Sequence, residues 1–205
     1  MRENICYIVG AGDNYGLDFT PTKEDYVIAA DGGLTYLQQA DIKADLVIGD
    51  FDSLAEMPKH PNVIKLKCEK DETDTYEAVQ EGMKRGYTTF HIYGGTGGRI
   101  EHTVANMQVL AYMAQNKVRG YLFDKDKIIT AITDDTIKFD SQHEGYISIF
   151  SHSDKATGVF LKGLKYELDN ATVFNTFPVG VSNEFAGEES SVTVTEGTLI
   201  IILPK

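Results

Sequence analysis

The chain has 205 residues, 42% of them hydrophobic, enough for one large domain or two small ones. Its net charge of −12 argues against nucleic acid as a partner, because phosphate backbones are bound by Lys and Arg. An acidic protein can still bind a nucleotide through a bridging divalent cation. No apolar run is long enough for a membrane span or a signal peptide, and the 2 cysteines lack metal-ligand spacing, so we expect a cytoplasmic protein without a membrane partner.

Residues 1–127 alternate between short apolar runs and helical patterns. The runs that predict strands lie at residues 5–9, 26–30, 46–48, 63–66, 89–93 and 119–123. Helical patterns follow the second, fourth and fifth of these runs. Alternation of this kind is typical of an α/β fold with a doubly wound, mostly parallel sheet.

The first predicted strand is followed by GAGDNYG at residues 10–16. This segment is nearly a dinucleotide-binding fingerprint, but its third glycine comes one residue late and Pro21 interrupts any following helix. We interpret it as a glycine-rich turn, with contact to a nucleotide as the alternative.

Asp31 stands at the end of the second predicted strand. Two glycines follow it and lead into a helix through Gln39. This arrangement places a carboxylate beside free N–H groups at a helix N-terminus, where ligands with phosphate groups bind. A carboxylate that only caps the helix explains Asp31 equally well.

Two aspartates, Asp50 and Asp52, follow the third predicted strand with one residue between them. Side chains at positions i and i+2 of an extended segment point the same way, so both carboxylates are expected at the C-terminal edge of the sheet. At about 4 Å they repel by about 4 kcal/mol at an effective dielectric constant of 20. A shared proton or a Mg2+ ion would offset this repulsion. An acidic loop with an Asx-type turn is the alternative.

Residues 69–79 contain more acids than a helix start requires. Thr73 or Asp74 can cap the predicted helix, and Glu77 completes a box-like pattern with Asp74. Capping explains one acid near the start, but Asp71 and Glu72 stand there too. Capping therefore does not account for the whole cluster.

Residues 94–98 are glycines except for one threonine, although glycine within an element costs roughly 0.5 to 1 kcal/mol in entropy. Such a loop lets backbone N–H groups approach a ligand closely. Arg99 begins the next helix, where a cation is unfavourably placed for the helix dipole, and this favours an anion-binding role. A flexible turn with an exposed arginine is the alternative. The apolar stripe of this helix is formed by Ile100, Val104, Met107 and Ala111.

The pattern changes after residue 127. Short β-type runs without helical periodicity follow at residues 128–133, 136–139, 146–150, 192–194 and 199–203. They predict an all-β domain, a sandwich or a barrel, and we take the sandwich as the fold class. We therefore expect an α/β domain over residues 1–127 and a β-rich domain over residues 128–205.

Five motifs occur in order: AADGG at residues 29–33, IGDFDSL at 48–54, KDETDT at 70–75, GGTGGRIEHTVAN at 94–106 and GVSNEF at 180–185. Together they resemble thiamine pyrophosphokinase, also called thiamine diphosphokinase, of the bacterial type. The resemblance implies an α/β catalytic domain that binds ATP and Mg2+, a β-rich thiamine-binding domain, and a homodimer with sites between subunits. It also implies transfer of a pyrophosphoryl group from ATP, the co-substrate, to the hydroxyethyl oxygen of thiamine, giving thiamine diphosphate and AMP.

By this resemblance, Asp50, Asp52 and Asp74 correspond to the acids that bind Mg2+ and act in catalysis. Asp31 and Thr73 correspond to positions near the phosphates and the metal. Asp31 is also expected to contact the substrate. Either Asp31 or Asp74 is expected to accept the hydroxyl proton of thiamine.

Arg99 corresponds to the cation that meets the phosphate chain. The N–H groups expected to act with it are those of Gly95, Thr96, Gly97 and Gly98. Glu101 and His102 complete this ATP-binding segment. The family usually has Asp before the His, and the longer Glu shifts the carboxylate by about one methylene group.

Ser182 and Asn183 correspond to the segment that meets thiamine, supplied by the partner subunit. Relatives from higher organisms use a tryptophan against thiamine, whereas this chain contains 0 tryptophans. Phe185 or a tyrosine is expected in its place.

Two other functions compete with this interpretation. The sequence DFDSL resembles the DxD motif of haloacid-dehalogenase phosphatases, whose first Asp is a nucleophile. That family places the motif after its first strand, whereas here it follows the third predicted strand. A non-catalytic module that binds thiamine or a nucleotide would not need three carboxylates at one metal.

Overall fold

The computed structural model describes residues 3–51, 59–67, 69 and 71–205. These residues form two compact units, one of residues up to Val109 together with Gly120–Lys125, the other of Leu110–Arg119 and Asp126–Lys205. The elements up to Phe123 are β1 (Ile5–Val9), β2 (Tyr26–Ala30), α1 (Gly33–Gln39), β3 (Leu46–Gly49), β4 (Val63–Lys65), α2 (Asp74–Lys84), β5 (Thr89–Tyr93), α3 (Ile100–Gln115) and β6 (Arg119–Phe123). Every strand predicted in this part is confirmed to within one residue at either end.

The strands of the first unit form a sheet in the order β6-β5-β1-β2-β3-β4. Strand β1 runs parallel to both β2 and β5, and the pairs β2–β3 and β3–β4 are parallel as well. The chain thus leaves β1 towards one edge of the sheet and returns with β5 on the other side of β1. This reversal creates a topological switch point between β1 and β5, the place where open α/β sheets bind ligands.

Helices cover both faces of this sheet. On one face Tyr7 packs with Leu37 of α1, and on the other Gly82 of α2 lies against Cys6 and Phe90. Strands β1, β2, β3 and β5 are buried along nearly their whole length, and such strands read as continuous apolar runs, which made these four recognisable in the sequence. The prediction of a doubly wound, parallel sheet is confirmed.

Helix α3 buries only part of the apolar stripe that we predicted, since Ala111 is buried and Met107 is half-buried. Ile100 is 71% exposed and Val104 is 51% exposed, whereas Leu110 and Met113 are buried. Leu110 and Met113 lie roughly a third of a turn from Ile100 and Val104 around the helix, since each residue advances by about 100°. Periodicity reports that a stripe exists and not which stripe faces the core, so the prediction for Ile100 and Val104 was wrong.

The elements from Lys127 onward are antiparallel strands. They are β7 (Lys127–Phe139), β8 (Tyr146–Ser151), β9 (Lys155–Lys162), β10 (Leu168–Phe174), β11 (Asn183–Glu184) and β12 (Ser190–Pro204). The all-β character of this part is confirmed, although the sequence did not reveal β9, β10 or β11. None of the helices in the described part of the chain has the length and hydropathy that crossing a membrane requires.

Two long strands organise this β-rich part. The runs 128–133 and 136–139, expected as separate strands, are joined in β7, and 192–194 and 199–203 are joined in β12. The ladder between β7 and β12 shifts register between Val194 and Thr198. On either side of this bulge β12 pairs with a different strand, β9 before it and β8 after it. Turn-type residues inside a continuous strand therefore made each strand look like two.

Candidate active site

The loops that follow β1 and β5 continue the ladder between these strands beyond the edge of the sheet. The N–H groups of Gly10, Gly12 and Asp13 donate to the carbonyl oxygens of Tyr93, Gly94 and Thr96, at 2.8, 2.7 and 2.9 Å respectively. Gly94 has a φ of 60°, and a Cβ atom there would overlap the carbonyl oxygen of Gly10. The two glycine-rich loops therefore lie directly against each other.

A cavity of ≈ 800 Å³ opens at this switch point. It is lined by residues 10–13 and 94–99 of the two loops, by residues 71–75 at the start of α2, and by Asp31 and Asp50. All of these residues belong to the first unit. The volume lies within the range of about 300–1,000 Å³ that is usual for small-molecule sites.

Three carboxylates converge in this cavity. One oxygen from each of Asp31, Asp50 and Asp74 lies within 4.8 Å of the other two, and all three residues are half-buried. The sequence suggested Asp50, Asp52 and Asp74 as the acidic set. Asp52 lies outside the described residues, and Asp31 joins the other two. These three carboxylates could together hold a metal ion, and hard oxygen ligands are the type that Mg2+ takes.

Asp31 reaches this cluster because the ends of β2 and β3 come together. Its N–H donates to the carbonyl oxygen of Ile48 at 2.8 Å, and its φ is 49°. A Cβ atom on Gly49 would lie 3.1 Å from the Cα atom of Asp31, closer than an ordinary contact, so a glycine favours this close approach. The N-cap residue of α1 is Gly32, so Asp31 precedes the cap position.

The chain is not extended at Phe51, the residue after Asp50. Phe51 has a φ of 57° and is 5% exposed, with its side chain in the core. Phe51 therefore lacks the extended conformation that was expected to direct the side chains of Asp50 and Asp52 to one side, and Asp52 itself lies outside the described residues. A positive φ costs a bulky residue free energy, and burial of the aromatic ring offsets this cost.

Asp74 is the first residue of α2, and Thr73 is the N-cap. The Thr73 side chain accepts a hydrogen bond from the N–H of Tyr76 at 3.2 Å. Of the two candidate caps, the structure thus selects Thr73. Asp71 and Glu72, the other acids of the cluster, are exposed and line the cavity.

Arg99 and Glu101 form an ion pair at the rim of the cavity. The Nε atom of Arg99 lies 2.7 Å from Oε1 of Glu101, and the two side chains are 73% and 60% exposed. Hydrogen bonds from its own N–H and from Arg99 hold the pKa of Glu101 below its ordinary value. Exposed ion pairs are weak, so Arg99 can exchange this partner for an anion in the cavity at little cost. His102 lies nearby in the cavity lining.

Sequence reasoning missed three residues of this site. The hydroxyl of Tyr36 donates to the carbonyl oxygen of Gly12 at 3.0 Å, and Asn106 donates to the carbonyl oxygen of Gly95 at 2.7 Å. Asp13 lines the cavity from the first loop. Asn106 belongs to the GGTGGRIEHTVAN segment, but nothing in its spacing distinguished it from an ordinary polar residue of a helix.

Comparison with known proteins identifies the family. The model of the thiamin pyrophosphokinase catalytic domain matches residues 20–122, and that of the thiamin pyrophosphokinase vitamin B1 binding domain matches residues 134–199. The chain belongs to the thiamine pyrophosphokinase family.

Relatives of known sequence and structure agree with this assignment. The thiamine pyrophosphokinase of Bacillus subtilis (strain 168) is 26% identical over 209 residues, which cover 98% of both chains. A crystal structure of thiamine pyrophosphokinase from Bacillus subtilis superposes with a TM-score of 0.87 and covers 99% of both chains. A thiamin pyrophosphokinase family protein from Enterococcus faecalis, 27% identical, gives a TM-score of 0.84 with 99% of both chains covered. The chain is thus an enzyme of the thiamine pyrophosphokinase family along its whole length.

The GVSNEF segment lies in the part of the chain that matches the vitamin B1 binding domain. Ser182 has a φ of 56°, and its N–H donates to the hydroxyl oxygen of Ser148 at 3.0 Å. Asn183 is 4% exposed, and its amide forms hydrogen bonds to the N–H and the carbonyl oxygen of Tyr166. Asn183 therefore links its own segment to the backbone at Tyr166, and its contact with thiamine stays a prediction.

Phe185 is a core residue of the thiamine pyrophosphokinase β-rich domain. It is 7% exposed, and its ring lies 5.3 Å from that of Phe139 and 5.4 Å from that of His143. A buried ring is not available to pack on a ligand at the surface. Tyr166, which is hydrogen-bonded to Asn183, is 61% exposed, and a tyrosine against thiamine stays a prediction.

We predict that the N-cap at Thr73 stabilises the start of α2. Thr73→Ala should lower the free energy of unfolding by about 1 kcal/mol, because the N–H of Tyr76 loses its acceptor. Thr73→Ser keeps the hydroxyl and should retain most of this stability. Urea denaturation of the three proteins measures the difference, and equal stability of the Ala and Ser variants would contradict the capping role.

Proposed function

We propose that the cavity at the switch point binds ATP with Mg2+, and that the pyrophosphoryl group of ATP passes there to the hydroxyethyl oxygen of thiamine. The products are thiamine diphosphate and AMP. The observation that carries this proposal is the convergence of Asp31, Asp50 and Asp74 beside two glycine-rich loops in one cavity. Family membership supplies the reaction, and the cavity offers groups that suit a metal-bound polyphosphate.

Asp31, Asp50 and Asp74 are the residues that would hold Mg2+. When bound, the ion would supply positive charge to the polyphosphate and to the three carboxylates. The carboxylates supply hard oxygen ligands, which are the type that Mg2+ selects. Asp52 was part of the set suggested by the sequence, and its role as a ligand stays a prediction.

The remaining groups of the cavity would position the polyphosphate. The N–H groups of residues 95–98 and the guanidinium of Arg99 are suited to negative charge on the transferred group. Arg99 would leave its surface ion pair with Glu101 to make this contact. Either Asp31 or Asp74 would accept the proton of the thiamine hydroxyl, since both lie in the cavity proposed to bind ATP.

The β-rich domain would bind thiamine through the segment that contains Ser182 and Asn183. We further propose that the enzyme is a cytoplasmic homodimer in which this segment completes the site of the partner subunit. The match of residues 134–199 to a vitamin B1 binding domain supports the first part of this proposal. The resemblance of the GVSNEF motif to the thiamine-contacting segment of the family supports the second.

A single incubation tests the proposed reaction against its competitors. The protein is incubated with ATP, Mg2+ and thiamine, and the nucleotide and thiamine products are separated by chromatography. We expect AMP and thiamine diphosphate in equal amounts. Free phosphate without AMP would indicate a phosphatase that uses the DxD motif, and unchanged ATP would indicate a binding module.

We predict that Asp50→Asn lowers turnover about a hundredfold or more, because it removes one charged oxygen ligand from the cluster. The matched control is Asp41→Asn, at an exposed residue whose φ of 54° also suits asparagine. Thermal unfolding shows whether both variants are folded, and initial rates are measured over a range of Mg2+ concentrations. A folded Asp50→Asn variant with the control's rate and Mg2+ dependence would rule out the ligand role.

Mixing two inactive variants tests whether each site lies between subunits. Asp50→Asn removes a ligand in one domain, and Ser182→Arg places a cation where the thiazolium cation is expected in the other. In a mixed dimer one site would carry both changes and the other neither, so refolded 1:1 mixtures should recover about a quarter of the wild-type rate. If both domains of a site come from one chain, mixing will recover nothing.

A further inference from the structure

The glycine loop after β5 is fixed at its start. A Cβ atom on Gly95 would lie 2.6 Å from Cδ1 of Leu122 and 3.0 Å from Nδ2 of Asn106. The backbone at Gly95 therefore lies directly against β6 and α3, without room for a side chain. Any change in the side chains that contact Gly95 acts directly on the loop backbone.

Asn106 is the polar side chain that holds this backbone. It is 4% exposed, and its Nδ2 atom donates to the carbonyl oxygen of Gly95 at 2.7 Å. A buried amide in the middle of a helix is unfavourable unless it is hydrogen-bonded, and asparagine is a poor helix former. Asn106 also lines the cavity, and its amide hydrogen bond goes to the loop, so the amide serves the loop rather than the helix.

The hydrogen bond from Asn106 orients a complete peptide unit. The peptide is planar and trans, so its carbonyl oxygen and its N–H point in opposite directions. With the oxygen of Gly95 turned towards α3, the N–H of Thr96 is turned away from α3. Thr96 is held at two further atoms, since its hydroxyl donates to Oδ1 of Asp124 at 2.6 Å and its oxygen accepts from the N–H of Asp13 at 2.9 Å.

The second half of the loop depends on this fixed first half. Gly97 and Gly98 follow with φ values of 76° and 53°, and they lead to Arg99. These residues form the rim of the cavity, and Arg99 is 73% exposed. Where the N–H groups and the guanidinium meet a ligand is therefore set by the orientation of the Gly95–Thr96 peptide.

We infer that Asn106 is a positioning residue for the polyphosphate donor, acting through the carbonyl oxygen of Gly95 on the N–H groups of residues 96–98 and on Arg99. This inference rests on the proposed function, because it assigns the loop to ATP. It predicts an effect on ATP binding and none on thiamine binding, since Asn106 acts on the loop and not on the segment assigned to thiamine.

The test uses Asn106→Asp in the full chain. Aspartate has the same shape, but its carboxylate cannot donate to the oxygen of Gly95 and repels it. We expect the KM for ATP to rise about tenfold, because the variant loses one buried hydrogen bond. The KM for thiamine should stay within twofold. The matched control is Asn116→Asp, at an exposed residue whose amide donates to the oxygen of Tyr112 at 2.8 Å. That variant should keep both KM values.

The pH dependence provides a second readout. Burial raises the pKa of a carboxyl group, and the protonated group can donate to a carbonyl oxygen as the amide does. The ATP-specific defect of Asn106→Asp, taken relative to wild type at each pH, should therefore shrink as the pH falls. Asn106→Leu keeps the branched shape of the side chain without a proton to donate, so its defect should not change with pH.

The outcomes separate this inference from the proposed function. If the wild-type protein makes no AMP from ATP and thiamine, the proposed function fails, and calorimetric titration with Mg-ATP then tests Asn106 by binding alone. If the wild type is active and a folded Asn106→Asp variant keeps its KM for ATP, or loses affinity for both substrates equally, the inference is overturned. Failure of both Asn106 variants to fold, with Asn116→Asp folded, would assign Asn106 to folding and would also overturn it.

Discussion

The mutual repulsion of three carboxylates is the constraint on which this site depends. With oxygens of Asp31, Asp50 and Asp74 within 4.8 Å of one another, each pair of charges repels by about 3.5 kcal/mol at an effective dielectric constant of 20. The fold holds them there by backbone means: parallel ladders bring the ends of β2 and β3 together, and the N-cap at Thr73 fixes the start of α2. A structure that maintains such repulsion is preorganised for a cation, because binding relieves it without rearrangement.

The same edge of the sheet also places backbone N–H groups, which bind anions, beside the acidic residues. Strands β1 and β5 are neighbours, but the chain continues from them towards opposite edges of the sheet. The loops that follow the two strands therefore line a crevice at the edge of the sheet. Both loops are rich in glycine because each backbone lies within contact distance of the other. N–H groups thus stand beside a cluster of carboxylates. A polyphosphate that carries a metal ion is the ligand that satisfies both at once.

In the β-rich domain, the long strand β12 pairs with β7 on one side and with two shorter strands, β9 and β8, on the other. β7 and β12 pair along most of their length, and the shift between Val194 and Thr198 lets β12 pair with β9 on one side of it and β8 on the other. Gly197 has a φ of 110°, and its N–H donates to Oδ1 of Asp134 at 2.8 Å, which satisfies the backbone at the bulge. Bulges of this kind bend a strand without ending it, and β7 and β12 both contribute residues to the core that contains Phe185.

The sequence by itself determined the α/β class, the six strands up to Phe123, the all-β character of the rest and the family, because buried parallel strands are continuous apolar runs and the motifs stand in a fixed order. It also singled out Asp31, Asp50, Asp74 and the glycine loop. Only the tertiary structure brought Asp31 into the same cluster, showed that Phe51 interrupts the extended geometry, and gave Asn106 a contact with Gly95. It also decided which stripe of α3 is buried and joined pairs of short runs into β7 and β12. Local patterns report periodicity and composition, whereas these features arise from which chain segments approach one another, and no local pattern encodes that.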